Sequence, residues 1–263
     1  MAWSPVEWFS FAAGFDAVRS TVSLRKGIQL FDERGTLEGG AGAWGFGGNV
    51  GALVRILDGR LSFGVSYRSA VKLEFSGSAD FTVPDSFASA LEDQPLESTL
   101  LLPHTIAVGI AGIPHEMVTL DLDLLITTWS TFDEFGFRFP EDEGKPEEER
   151  LTQFERRDWS DAASLRVGVE VRPGVEGLAL RAGFVFDRSP SPRDTMSPSL
   201  PDCDRVDVSF GAGYEFDFGL VVDVAYMYVH FLGRASTGEA FPGSYEASAH
   251  LMGLSLGYRW DPL

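Results

Sequence analysis

Residues 118 to 125 read VTLDLDLL, with Asp121 and Asp123 set between Leu120, Leu122 and Leu124. A helix would scatter these side chains around a cylinder. A strand sends successive side chains to opposite faces, and so lines up Val118, Leu120, Leu122, Leu124 and Ile126 on one of them. The same alternation recurs over 8–24, 44–56, 61–76, 100–112, 117–135, 154–172, 178–188, 204–216, 220–232 and 245–260, which predicts about ten strands. Several are about twice the common strand length of roughly 5–6 residues. Alternation alone fits a soluble sandwich, with leucines in a protein core, as well as a membrane barrel, with leucines in lipid.

The connections separate the two. Tight turns, LDGR at 57–60, IPHE at 113–116, PGVEG at 173–177 and DFG at 217–219, alternate with long loops predicted near 25–43, 77–99, 136–153, 189–203 and 233–244. Short turns at one end and long loops at the other are the anatomy of an outer-membrane barrel, and a sandwich has no reason to sort its loops this way. One face carries residues such as Phe63, Val65, Tyr67, Val108, Leu165, Val167, Phe184, Val224 and Leu256, almost without charge. The opposite face carries Arg68, Lys72, Asp121, Asp123, Arg166, Glu170, Arg181, Asp207 and Asp223. An arginine facing lipid near the bilayer midplane costs about 2–4 kcal/mol, which accounts for the separation. The aspartates of VTLDLDLL are then expected to face a polar lumen and to pair with neighbouring arginines. Tyr214, Phe216, Tyr258 and Trp260 fit an aromatic girdle at the turn end.

Composition narrows the partners. A net charge of −18 over 263 residues excludes a nucleic-acid-binding surface built on clustered Lys and Arg. Cys203 is the single cysteine, so there is no intrachain disulfide and no cysteine-based zinc pattern. No run of apolar residues approaches the roughly 18 needed for a spanning helix. The opening MAWSPVEWFSF has no basic segment followed by an apolar stretch and a cleavage site. The acidic stretch EDEGKPEEER at 141–150 reads as a solvated loop rather than a cation site. Nucleophile-elbow, HExxH, Walker and dinucleotide motifs are absent and the four histidines are scattered, so the reading is a non-enzyme with no cofactor and no metal.

The stretch RAGFVFDRSPSPRDTMSPSLPDCDRVDVSFGAGYEF, residues 181–216, resembles the signature of outer-membrane transporters for long-chain fatty acids and aromatic hydrocarbons, the FadL/TodX type. The matching positions are Gly183, Asp187, Ser189, Pro190, Pro201, Asp202, Asp204, Arg205, Ser209 and Gly211. SYRSAVKLEFSG at 66–77, LPHTIAVGI at 102–110, TTWSTF at 127–132 and a closing YRW at 258–260 resemble further family segments in the right order. The resemblance implies an all-β, antiparallel, up-and-down transmembrane barrel and passive uptake of hydrophobic compounds across the bacterial outer membrane. It also implies contact with outer-membrane lipid and lipopolysaccharide, and handling by the barrel assembly machinery. Family members carry an N-terminal hatch and about fourteen strands. Residues 1–263 are therefore expected to form one transmembrane β-barrel domain, part of a larger barrel, without the hatch and first strands.

Trp129, Phe132, Phe135 and Trp159 are the expected walls of a pocket for the hydrophobic ligand. Where many members carry a basic residue, this chain has Ser160, so Arg156 or Arg157 is expected to meet a fatty-acid carboxylate. Asp187, Asp204 and Arg205 are expected to form a charged cluster that holds the 189–203 loop. Two other functions fit the pattern: a general diffusion porin, with the lumen charges lining water, and a soluble lipid-binding β-barrel.

Overall fold

A computed structural model describes residues 1–30, 33–88, 91–147, 150–198, 200–238 and 241–260. The first strands are β1 (Ala2–Val6), β2 (Phe9–Leu30), β3 (Glu33–Ile56), β4 (Leu61–Arg68), β5 (Val71–Thr82) and β6 (Gln94–Leu102). They are followed by β7 (Thr105–His115), β8 (Val118–Thr127), β9 (Glu134–Phe137), β10 (Gln153–Arg156), β11 (Ala162–Val171) and β12 (Leu178–Asp187). The last are β13 (Arg205–Glu215), β14 (Leu220–Phe231), β15 (Arg234–Ser236), β16 (Gly243–Tyr245) and β17 (Ser248–Tyr258). The main sheet runs β1-β2-β3-β4-β7-β8-β11-β12-β13-β14-β17, an antiparallel up-and-down order. No pairing joins β17 to β1 among the described residues, so this sheet has two edges.

The face assignment is visible in the exposure. Leu120, Leu122 and Leu124 are 47%, 44% and 41% exposed, whereas Asp121 and Asp123 between them are half-buried. A soluble sandwich buries its leucines, so this inversion removes the soluble alternative. Across the sheet Val65, Val108, Leu124 and Leu165 stand in one register row on the outward face. Three of the tight turns fall where the sequence places them, whereas β7 runs on through His115 and its turn falls at Glu116 and Met117 instead of over 113–116. In LDGR, Asp58 and Gly59 both adopt the left-handed backbone, φ 55° and 82°, as a two-residue hairpin turn between twisted strands requires.

Elsewhere the structure departs from the sequence reading. The predicted loop at 25–43 is strand almost throughout, with β2 and β3 paired from Phe9↔Val54 to Leu30↔Glu33; residues 31 and 32 lie outside the described residues. The 22 residues of β2 reach about 70 Å, far beyond an apolar band about 25 Å tall, so the hairpin projects well past the membrane. The loop predicted at 77–99 shrinks in the same way, because β5 continues to Thr82 and β6 begins at Gln94. Conversely, four predicted strands are broken: 61–76 at Ser69–Ala70, 100–112 at Pro103–His104, 117–135 after Thr127 and 154–172 between Arg156 and Ala162.

The break at Ser69 turns β5 and β6 off the main path and onto the inner side of β3. A Cβ at Gly45 would lie 2.5 Å from Val71 Cγ1 and 2.7 Å from the Lys72 carbonyl oxygen, so only glycine admits β5 there. The closure buries Ala41, Ala43, Val71, Leu73 and Phe75 against Val18, Val22, Leu100 and Leu102. Above it, Ala79 and Leu96 bury Phe139 from the 138–152 segment. That segment is more than a solvated acidic loop. The Asp142 carboxylate is buried and accepts bonds from Leu151 N (2.8 Å), Thr152 N (2.7 Å), Thr152 Oγ1 (2.8 Å) and Lys145 Nζ (3.3 Å). Burial pushes this carboxyl up, but the bonds from Thr152, Lys145 and Leu151 together hold it below the usual carboxylate range.

The aspartates of VTLDLDLL do face inward, but their expected arginine partners are missing. Arg166 stands directly across from Asp123 in register, yet neither Asp121 nor Asp123 is ion-paired among the described residues. Instead each carboxylate lies over a glycine. A Cβ at Gly109 would be 2.0 Å from Asp123 Oδ1, and one at Gly168 would be 2.5 Å from Asp121 Oδ1. Lower on the wall inner-face ion pairs do form, where Arg181 donates to Glu170 (2.8 Å) and Asp223 (2.7 Å).

Candidate functional site

Because every second residue of a strand points inward, one register row brings Leu125, Ser164, Asp187 and Arg205 side by side across four strands, near their loop ends. They form one wall of a cavity of about 390 Å³, within the usual range for a small-molecule site. Trp129 and Trp159 line it from the segments after β8 and before β11, and Pro190, Leu200, Pro201 and Cys203 line it from the loop above. Its polar groups include Arg166, Asp187, Arg188 and Arg205.

The four expected aromatic walls are one cluster. Trp159 stands edge-on to both Trp129 and Phe132, each at 5.0 Å between centroids, and Phe135 follows Phe132 at 6.2 Å. Such edge-to-face contacts fix ring positions as well as burying area. Trp129 and Trp159 face the cavity, while Phe132 is buried behind them and Phe135 leads on to Phe137. A turn of 3-10 helix, Trp129–Thr131, sets Trp129, and the Asp161 carboxylate accepts Ser130 N at 3.0 Å. That bond draws the Asp161 carboxyl below its ordinary range.

The two arginines expected to meet a carboxylate lie away from the cavity lining. Arg156 is engaged by Asp158 (3.0 Å) and Asp194. Arg157 is buried, bonded to Glu155 (2.5 Å) and to Ser197 Oγ (3.2 Å). Sequence reasoning passed over Arg166 as a site residue. Its Nε donates to Ser164 Oγ at 3.4 Å and it makes no salt bridge among the described residues, although its charge acts on Asp207. The signal was its place on the inward face opposite Asp123; that it makes no salt bridge is decided only in the folded wall.

The loop above the cavity is held at its base. Arg205 pairs with Asp187, Asp204 Oδ1 accepts Ser189 N at 2.8 Å, and Asp202 Oδ2 accepts Ser189 Oγ at 2.9 Å. Arg234 adds a bond to the Ser191 carbonyl at 2.7 Å, and Ser160 N reaches the Pro190 carbonyl at 2.9 Å. Burial pushes the Asp202 carboxyl up, against the Ser189 bond and the Arg205 charge. Burial likewise pushes the Cys203 thiol up.

Outward apolar strands, tight turns at one end, long projecting hairpins and loops at the other, and a cavity on the inner wall define this chain as an outer-membrane β-barrel protein. It belongs to the family of outer membrane protein transport proteins (OMPP1/FadL/TodX), whose model matches residues 6–260. The chain is 27% identical to a long-chain fatty acid transport protein of Salmonella typhi, over 96% of this chain and 62% of that protein. It is 29% identical to a 47 kDa outer membrane protein of Pasteurella multocida, over 82% of this chain and 51% of that protein. In fold it is similar to the crystal structure of a Pseudomonas aeruginosa FadL homologue, with a TM-score of 0.75 and 18% identity over 98% of this chain and 66% of that one. The toluene transporter TodX of P. putida superposes with a TM-score of 0.62 and 16% identity, over 89% and 61% of the two chains. The chain thus spans between about half and two thirds of the length of these relatives. A general diffusion porin is not favoured, since the family matched is one of transport proteins.

Proposed function

We propose that this chain serves the passive uptake of hydrophobic compounds, long-chain fatty acids or aromatic hydrocarbons, across the outer membrane, as a transport protein rather than an enzyme. The carrying observation is the mixed lining of the 390 Å³ cavity, in which Trp129, Trp159, Leu125 and Leu200 stand together with Arg166, which makes no salt bridge among the described residues. Apolar walls take a tail or ring, and a guanidinium without a salt bridge takes an anionic head group. In this reading Trp129 and Trp159 touch ligand, Phe132 and Phe135 support them, and Arg156 and Arg157 hold their loops.

With this chain joined to the N-terminal part of a full-length relative, a long-chain fatty acid brominated on its chain tests this, because bromine quenches nearby tryptophan. Quenching should fall in Trp129→Phe/Trp159→Phe, since Trp3, Trp8, Trp44 and Trp260 are exposed residues apart from the cavity. Arg166→Leu should weaken the fatty acid about tenfold, the loss of one charge-assisted bond, while toluene binding stays unchanged. Equal quenching in all three proteins would remove the cavity as the site.

The pairing of Arg205 with Asp187, together with Asp204, anchors the 189–203 loop over this cavity. Arg205→Ala leaves Asp187 without its cation, so the loop should open more often and be cut by protease about threefold faster or more, with the strands still assembled. Unchanged cleavage there would show that the pair does not hold the loop.

A further inference from the structure

Oppositely charged neighbours in register close on each other in the main sheet. Arg25 stands across from Glu38 and pairs with it at 3.0 Å. Glu170 stands across from Arg181 and accepts its Nε at 2.8 Å. Asp187 stands across from Arg205 and pairs with it. Asp123 on β8 and Arg166 on β11 are set across from each other in the same way, yet this pair stays open among the described residues. Side chains directly across from each other start about 5 Å apart, so distance does not keep these two apart.

What sets Asp123 apart is its other neighbour. On their far sides Glu170 has Thr119 and Asp187 has Ser164, each with a side chain of its own. Asp123 has Gly109 on β7. Its carboxylate lies over that glycine, with Oδ1 2.0 Å from where a Cβ would stand. A carboxylate uses such a gap elsewhere in the wall, since over Gly213 the Asp223 carboxylate meets Arg181 at 2.7 Å. Over Gly109 there is no cation to meet, because the next residue in the row is Gly64 on β4. Arg166 for its part turns to Ser164 Oγ at 3.4 Å and lines the cavity. Its charge acts on Asp207, which stands beyond Val185 in the same row, without a salt bridge between them.

We propose that Gly109 is a positioning residue for anionic ligands: by giving the Asp123 carboxylate room on the β7 side, it keeps Arg166 open to the carboxylate of a ligand in the cavity. The assignment rests on the head-group role given to Arg166 above, and makes residue 109 decide whether the site takes fatty acids as well as neutral hydrocarbons. A methyl at 109 would collide with Oδ1, the free end of a side chain that can change rotamer, so the carboxylate gives way and not the wall. Its remaining neighbour across the sheet is Arg166. Gly109 lies in the middle of β7 and has no positive φ, so alanine there brings no backbone strain.

The test uses this chain joined to the N-terminal part of a full-length relative, with the brominated fatty acid followed by tryptophan quenching and toluene by titration calorimetry. Gly109→Ala should weaken the fatty acid about tenfold, the loss of one charge-assisted bond, and leave toluene unchanged. Gly109→Ala/Asp123→Ala should restore the fatty acid, because it removes the carboxylate that the methyl displaces. A merely structural disturbance of the wall would weaken both probes together. Asp123→Asn keeps Gly109 and decides the matter even if Gly109→Ala fails to assemble. With the carboxylate already off Arg166, this change should leave the fatty acid within about threefold of the unaltered chain. A gain of about tenfold in Asp123→Asn, or an assembled Gly109→Ala that binds both probes as before or loses both, would overturn the assignment. Arg166→Leu separates the two readings. Unchanged fatty-acid binding there removes the head-group role itself, whereas a loss there without one in Gly109→Ala removes only the role of Gly109.

Discussion

Replacing Leu122 with arginine is expected to abolish membrane assembly, whereas Asp123→Asn, one residue away, is expected to be tolerated. Leu122 is 44% exposed on the outward face and stands four residues above the turn end of β8. At about 10 Å up the wall it is close to the middle of an apolar band about 25 Å tall, where an arginine costs most. The penalty of about 2–4 kcal/mol shifts the assembly equilibrium by roughly 30- to 900-fold. Asp123 faces the lumen over Gly109, and asparagine keeps its size and removes a charge that no cation offsets. Heat-modifiability on a gel reports both, measured in this chain joined to the N-terminal part of a full-length relative. Equal tolerance of the two changes would mean that the leucine face does not lie in lipid.

The second large effect concerns the two edges of the sheet. β17 pairs with β14 on one side, and β1 with β2, while the remaining backbone groups of these outer strands have no partner strand among the described residues. Open edges are untenable in hydrocarbon, because each unsatisfied N–H or C=O there costs several kcal/mol and no water can take its place. Residues 1–263 refolded in detergent are therefore expected to give a β-type circular dichroism spectrum but weak heat-modifiability and no saturable fatty-acid binding. A chimera that adds the N-terminal part of a full-length relative, such as the Salmonella typhi transport protein, should regain both. Tight stoichiometric binding by residues 1–263 alone would show that these strands close on themselves around a complete cavity.

Much of the wall was legible in the chain because a strand has a fixed period. Val118 to Ile126 could be assigned to one face without any knowledge of their neighbours, and Asp-Gly at 58–59 marks a turn by its own backbone preference. Lipid reinforces the signal, since it admits almost no charge on one face over the whole spanning length. The family signature at 181–216 was legible for a related reason: its aspartates, prolines and glycines sit at loop bases where few other residues fit.

Tertiary structure alone decided what lies above and inside that wall. Residues 25–43 read as a loop because glycines and charges interrupt their alternation, yet the described residues among them are strand: β3 pairs with β2 on one side and β5 on the other, and cross-strand bonds override local preference. The path of β5 over Gly45 depends on a contact between residues 26 positions apart, which no local pattern announces. The cavity gathers Trp129, Trp159, Arg166 and the Asp187–Arg205 pair from strands and loops joined only through register. Whether an inward charge is paired or free is likewise a matter of distance. Sequence set Arg166 and Asp123 on the same face, but only the folded wall left Arg166 without a salt bridge and laid Asp123 over a glycine.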